Sequence, residues 1–124
     1  MGRRERLRAR QLPTESVRLP DPGGGPDEVF ELRAIPPDEW EKLLGEHPPT
    51  EEQAEKGETY NPTTFRPALL ERCVLTPDGE EPLTAQDWAD LSASRNLAPG
   101  EFIRLYNTAY ALNDRSPLVV VGKG

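Results

Sequence analysis

Two side chains stand out as carriers of chemistry near neutral pH, because the 124 residues hold a single histidine, His47, and a single cysteine, Cys73. His47 lies between Glu46 and the pair Pro48-Pro49, with no serine or cysteine close by in sequence to make a nucleophile and base pair, so it reads as a solvated loop residue. Cys73 falls on the apolar arc of a helical pattern, where a free thiol behaves as a small hydrophobe. One cysteine excludes an internal disulfide framework and a thiolate zinc site, and one histidine removes most remaining metal and triad arrangements. The acidic pairs Glu51/Glu52 and Glu80/Glu81 lack the spacing of a calcium loop and read as solvated charge. Val121-Gly122-Lys123-Gly124 has neither the glycine spacing of a phosphate loop nor a helix after it. These residues point away from enzymology: no catalytic group, no cofactor and no metal ligand set is expected.

The elements that position these residues must come from a small core. Hydrophobic residues make up 35% of the chain, 14 prolines and 10 glycines interrupt it, and the mean hydropathy is −0.72. Such a composition leaves much of the sequence outside any packed interior. No apolar run exceeds four residues, against roughly 20 for a spanning helix. A membrane protein and a secretory signal are therefore not expected. Arg6 stands where a myristoylation signal carries serine or threonine. The single cysteine fits a reducing compartment.

Charge is unevenly spread. Residues 1–18 hold six arginines and two glutamates, a net of +4, which leaves −11 for the rest of a chain whose formal charge is −7. The acidic body repels phosphate, so nucleic-acid binding by the folded part is not expected, whereas the arginine-rich start can touch an acidic surface or a polynucleotide. Residues 1–26 read as a flexible, disordered basic arm that ends in the linker Asp21-Pro22-Gly23-Gly24-Gly25-Pro26, with the domain spanning 27–124.

Within that domain Phe30, Leu32 and Ala34 alternate with charged residues, which predicts a short half-buried strand. Pro37-Asp38-Glu39 opens a helix over 37–45 that turns Trp40, Leu43 and Leu44 to one face. Thr50-Glu51-Glu52-Gln53 matches a capping box, but the residues after it are too polar for more than one turn or a mobile loop. Phe65, Leu69, Leu70, Cys73 and Val74 form a wide apolar arc on a helix whose start near Thr63 or Thr64 would keep Pro67 in the first turn. Thr84 and Asp87 predict a capped helix over 85–94, with Leu83 stapling onto Trp88. A last helix over 99–113 carries Phe102, Ile103, Leu105, Tyr106, Ala109, Tyr110 and Leu112, an arc wider than one core-facing stripe needs. Residues 118–121 form a β-branched run able to add a strand to Phe30-Leu32. The expected fold is mainly α, a small helical domain of about four helices with room for one pair of short strands. Trp40 and Trp88 read as core anchors.

The connection 95–98 between the last two helices permits a helix-turn-helix reading, with 99–113 as recognition helix. That helix offers only Arg104 toward phosphate, with Arg115 just beyond it, so a small DNA-binding regulator with a basic arm is the alternative rather than the preferred function.

The order of segments decides the preference. A charged strand is followed by Pro-Pro-Asp-Glu-Trp-Glu-Lys-Leu-Leu, His47-Pro48-Pro49-Thr50, Tyr60-Asn61-Pro62-Thr63-Thr64-Phe65-Arg66-Pro67-Ala68-Leu69-Leu70, an acidic helix with Trp88, and Gly100-Glu101 opening a helix that ends in Leu112-Asn113. Over residues 28–124 this arrangement resembles the tail assembly chaperones of long-tailed bacteriophages that infect actinobacteria. The resemblance implies a non-enzymatic protein of the host cytoplasm, absent from the mature virion. It would bind the phage tape-measure protein, keep its helical stretches from aggregating and assist tail-tube protein to polymerise around it, with self-association of the chaperone allowed. Phe65, Ile103, Tyr106 and Tyr110 are the expected partner-binding residues. The resemblance also implies a second, longer product made by ribosomal frameshifting, for which Val121-Gly122-Lys123 is the candidate slip site.

Overall fold

The computed structural model describes residues 2–114. Over these the chain is a mixed small domain of six helices and one two-stranded antiparallel sheet, about half helical. The order is α1 (Arg3–Ala9), β1 (Thr14–Leu19), β2 (Glu28–Arg33), α2 (Pro37–Gly45), α3 (Glu51–Glu55), α4 (Pro62–Cys73), α5 (Ala85–Ser92) and α6 (Pro99–Asp114). The expected C-terminal strand at 118–121 and the slip-site triplet lie outside the described residues.

The basic start of the chain departs from its expected character as an arm. Thr14–Leu19 pairs with Glu28–Arg33 in the register Thr14↔Arg33 to Leu19↔Glu28, so the fold takes in residues well before 27. Val17 and Leu19 alternate with Ser16 and Arg18, and both apolar side chains are buried. The period of two is what a half-buried strand requires. On the opposite face the Ser16 hydroxyl donates to Glu31 and Arg18 pairs with Asp27 at 3.3 Å. The glycine-rich segment is accordingly the hairpin connection and not a linker between an arm and a domain. The Asp21 carboxylate accepts from the N–H groups of Gly23 and Gly25, and Gly24 adopts φ +84°, a conformation that favours glycine. Only α1 keeps the solvated character expected of an arm, since it buries no residue, and it is helical.

β2 ends where Pro36 stops it, and Pro37 supplies a first helical position that needs no donor. α2 turns Leu43 into the core with Trp40 and Leu44 packed beside it. The 50–55 segment is a one-turn helix with a complete capping box between Thr50 and Gln53, and it buries nothing. α4 starts at Pro62 behind an Asn61 cap, one or two residues earlier than expected, which places Pro67 in the second turn. Pro67 cannot bond the Thr63 carbonyl, and Thr63 is exposed, a place where the missing bond costs least.

α4 is the central helix: Phe65, Pro67, Ala68, Leu69, Leu70 and Cys73 are all buried, and it packs against α2, α5 and α6. After it the chain runs beside the free edge of β2, with a bridge between Val74 and Leu32 and a bond from Leu75 N–H to the Glu31 carbonyl. α5 carries the expected capping box of Thr84 and Asp87 and ends at Ser92; Trp88 is fully buried. α6 packs on α4 and both strands through Phe102, Leu105, Tyr106 and Ala109. Leu83, ahead of the Thr84 cap, is 37% exposed.

Candidate functional site

Of the four expected partner-binding residues, the fold puts Phe65 and Tyr106 inside. Phe65 is fully buried and Tyr106 is 6% exposed, so neither offers a contact surface in this conformation. Tyr110 and Ile103 are half-buried. Phe65, Tyr106 and Tyr110 come together in an aromatic cluster with Tyr60 and Trp40, while Ile103 sits apart from it. The Tyr60 and Phe65 rings lie 4.6 Å apart, Trp40 meets Tyr110 edge-on at 5.4 Å, and the Tyr60 and Tyr106 hydroxyls share a 3.1 Å hydrogen bond. The Arg66 guanidinium lies 5.1 Å from the centre of the Tyr106 ring, a cation–π contact. His47 lies in the loop after α2, as expected, and is partly exposed; it touches this cluster, with its Nδ1 at 2.9 Å from the Thr64 hydroxyl and its ring edge-on to Phe65.

Burial favours the neutral forms of the phenols and the thiol in this interior. Burial raises the phenol of Tyr106, with the Tyr60 hydroxyl adding to the effect, and burial pushes Tyr110 up to about 12 with help from Asp114. Burial also pushes the Cys73 thiol up to about 11, against a smaller opposing effect of its hydrogen bond with Asn113. A thiol held protonated is a poor nucleophile. Among the described residues no group of three or more His, Cys, Asp and Glu side chains is placed to hold a metal ion, and no helix is long and apolar enough to cross a membrane.

Ile103 borders a shallow groove of about 380 Å³ along α6 with Arg104, Asn107 and Ala111. A second surface has a stronger pattern. Four large hydrophobic residues are exposed among the described residues: Leu7 (57%), Val29 (43%), Leu75 (36%) and Leu83. Val29, Leu75 and Leu83 line one hollow, together with Glu80 and Glu81. A neighbouring hollow of about 340 Å³ is walled by Leu19, Trp88, Leu91 and Leu97, with Asp21 and Glu101 on it. The two meet at Glu28 and Phe30, which line both. The result is a face on which exposed apolar side chains and carboxylates alternate, reaching to the turn end of the hairpin. The Trp88 indole N–H lies under this face, buried and without a hydrogen-bond partner among the described residues.

Sequence reasoning missed this face because its residues come from three separate segments. The legible signal was modest: Leu75 and Leu83 flank a polar turn, Thr76 to Glu81, where apolar residues have no helical or strand period to satisfy.

No protein-family model matches the chain, and no curated protein or solved structure matches it either.

Proposed function

We propose that the chain is a non-enzymatic tail assembly chaperone of a long-tailed bacteriophage, acting in the host cytoplasm and absent from the finished particle. In this reading it binds helical stretches of the tape-measure protein and assists tail-tube protein to assemble around them. The order of segments over residues 28–124 is the basis of the family assignment, and α2, α4, α5 and α6 are the helices that carry those segments. The observation that carries the binding role is this face of apolar side chains and carboxylates. Exposed apolar side chains gathered among carboxylates suit an amphipathic helix that bears lysines or arginines beside its apolar stripe. The contact therefore moves from Phe65 and Tyr106, which are core, to Val29, Leu75 and Leu83.

The alternative DNA-binding reading gains nothing from α6. Phe102, Leu105, Tyr106 and Ala109 of that helix are buried, and Arg104 reaches back to the Arg18 carbonyl at 3.4 Å. A recognition helix needs free donors and acceptors along its outer face.

The test is co-expression with the tape-measure protein of the source phage, followed by pull-down and size exclusion. Co-elution with a client that stays in solution supports the chaperone reading. A client that precipitates while this chain elutes alone refutes it.

A further inference from the structure

The fourth exposed hydrophobic residue, Leu7, sits on α1 among arginines. Arg3, Arg4 and Arg8 make no ion pair among the described residues, and α1 buries none of its own residues. The chain thus carries a short basic helix with one exposed leucine and, elsewhere, a face on which apolar side chains alternate with Asp21, Glu28, Glu80, Glu81 and Glu101. In charge and in apolar content each is the complement of the other.

The arm joins the hairpin at its open end, and the face runs from the turn end back to Val74 and Leu75, beside Leu32 and Glu31. Pro13 is fixed by the bond from Ala34 N–H to its carbonyl, and Leu12 is half-buried in a groove with Ile35, Trp40 and Leu112. Arg10 and Gln11 are then the only tether between α1 and the body, a span of roughly 10 Å. Phe30 and Glu28 pair with Val17 and Leu19, which places them roughly 14 to 20 Å along the hairpin from Pro13 at about 3.4 Å per residue. In the structure α1 buries none of its residues and leaves Leu7 exposed, so it does not lie on the face of its own chain.

We infer that α1 of one copy docks on the carboxylate-bearing face of a second copy, with Leu7 in the hollow of Val29, Leu75 and Leu83, and the arginines against Glu28, Glu80 and Glu81. The two surfaces of such a contact differ, which makes it heterologous. The docking rests on charge and exposure, and stands whether or not the chain is a chaperone. Only its consequence, that a docked arm excludes a client from the same face, rests on the chaperone reading.

The experiment is light scattering on the purified full chain with no client present, so its outcome is independent of the client test. At about 100 µM, a concentration suited to a weak contact, and at low ionic strength, the weight-average mass is expected to exceed one chain of 13.9 kDa. It should return to one chain at about 0.5 M salt. Two charge-reversed variants sharpen the result: Arg3→Glu/Arg4→Glu/Arg8→Glu on the arm, and Glu28→Lys/Glu80→Lys/Glu81→Lys on the face. Each alone is expected to be monomeric, with an unchanged circular dichroism spectrum, and an equimolar mixture is expected to associate again. Leu7→Asp, with the charges intact, is expected to abolish association. A single-chain mass under all conditions overturns the proposal. So does association that survives either reversal, or a mixture that stays monomeric.

Discussion

The Asn113 side chain donates from Nδ2 to the Cys73 sulfur at 3.4 Å, and so joins the ends of α6 and α4. The same amide donates to the Ala109 carbonyl, and its oxygen accepts from the Ile35 N–H at 2.8 Å. One side chain therefore ties the exit of the sheet to two helices, beside the buried Ile35 and Cys73.

Asn113→Ala leaves the Ile35 N–H without its acceptor. Such a loss costs about 1–3 kcal/mol, to be read from the urea midpoint of the variant. A change within the noise of the measurement would show that the amide finds another partner.

Alkaline stability follows from Cys73 and Tyr110. Burial holds Cys73 at about 11 against an ordinary 9.0, and Tyr110 at about 12 against 10.0, so folding favours the neutral forms. The unfolded chain loses these protons first. Stability is then full below pH 9.0 and falls as pH rises through the folded values, the Cys73 share between 9.0 and about 11 and the Tyr110 share between 10.0 and about 12. Denaturant midpoints across that range check the sign, and Cys73→Ala should flatten the lower part of the decline. At neutral pH the native thiol should react with a disulfide reagent far more slowly than the unfolded chain does.

The Tyr60 and Tyr106 hydroxyls share a half-buried hydrogen bond. Tyr60→Phe and Tyr106→Phe should each destabilise by about 0.5–1.5 kcal/mol. The double variant should lose less than the sum, because the second deletion removes a group already unpartnered. Strict additivity would mean that the two hydroxyls do not depend on each other.

Truncation separates the arm from the fold. Removing residues 2–10 takes away α1, which buries nothing, and should leave the thermal midpoint nearly unchanged. Val17→Ala, within β1, should cost roughly 1–3 kcal/mol because its side chain is in the core. If removal of 2–10 unfolds the chain, α1 has a structural role in the monomer.

The legible parts of the fold were those set by neighbours in sequence. Thr84 with Asp87, and Pro37 ahead of two acids, each announce a helix through groups three or four residues apart. β1 was hidden for the opposite reason: Val17 and Leu19 are only two apolar residues in an arginine-rich stretch, and their burial depends on pairing with a strand beyond a proline and glycine turn. An apolar arc on a helical wheel gives the direction of the core but not its depth. Phe65 and Tyr106 were therefore indistinguishable from Ile103 and Tyr110 before packing was seen. The face of Val29, Leu75 and Leu83 exists only once the 74–75 segment lies beside β2.

The most direct measurement is retention of the tape-measure protein by two variants of this chain in co-expression. Leu75→Asp lies on the carboxylate-bearing face and Ile103→Asp on the α6 groove, both outside the fully buried core. If the face holds the client, Leu75→Asp should lose at least about tenfold in retained client, the equivalent of roughly 1.4 kcal/mol, while Ile103→Asp keeps it. Retention by Leu75→Asp together with loss by Ile103→Asp would put the client on α6 and contradict the assignment of the face.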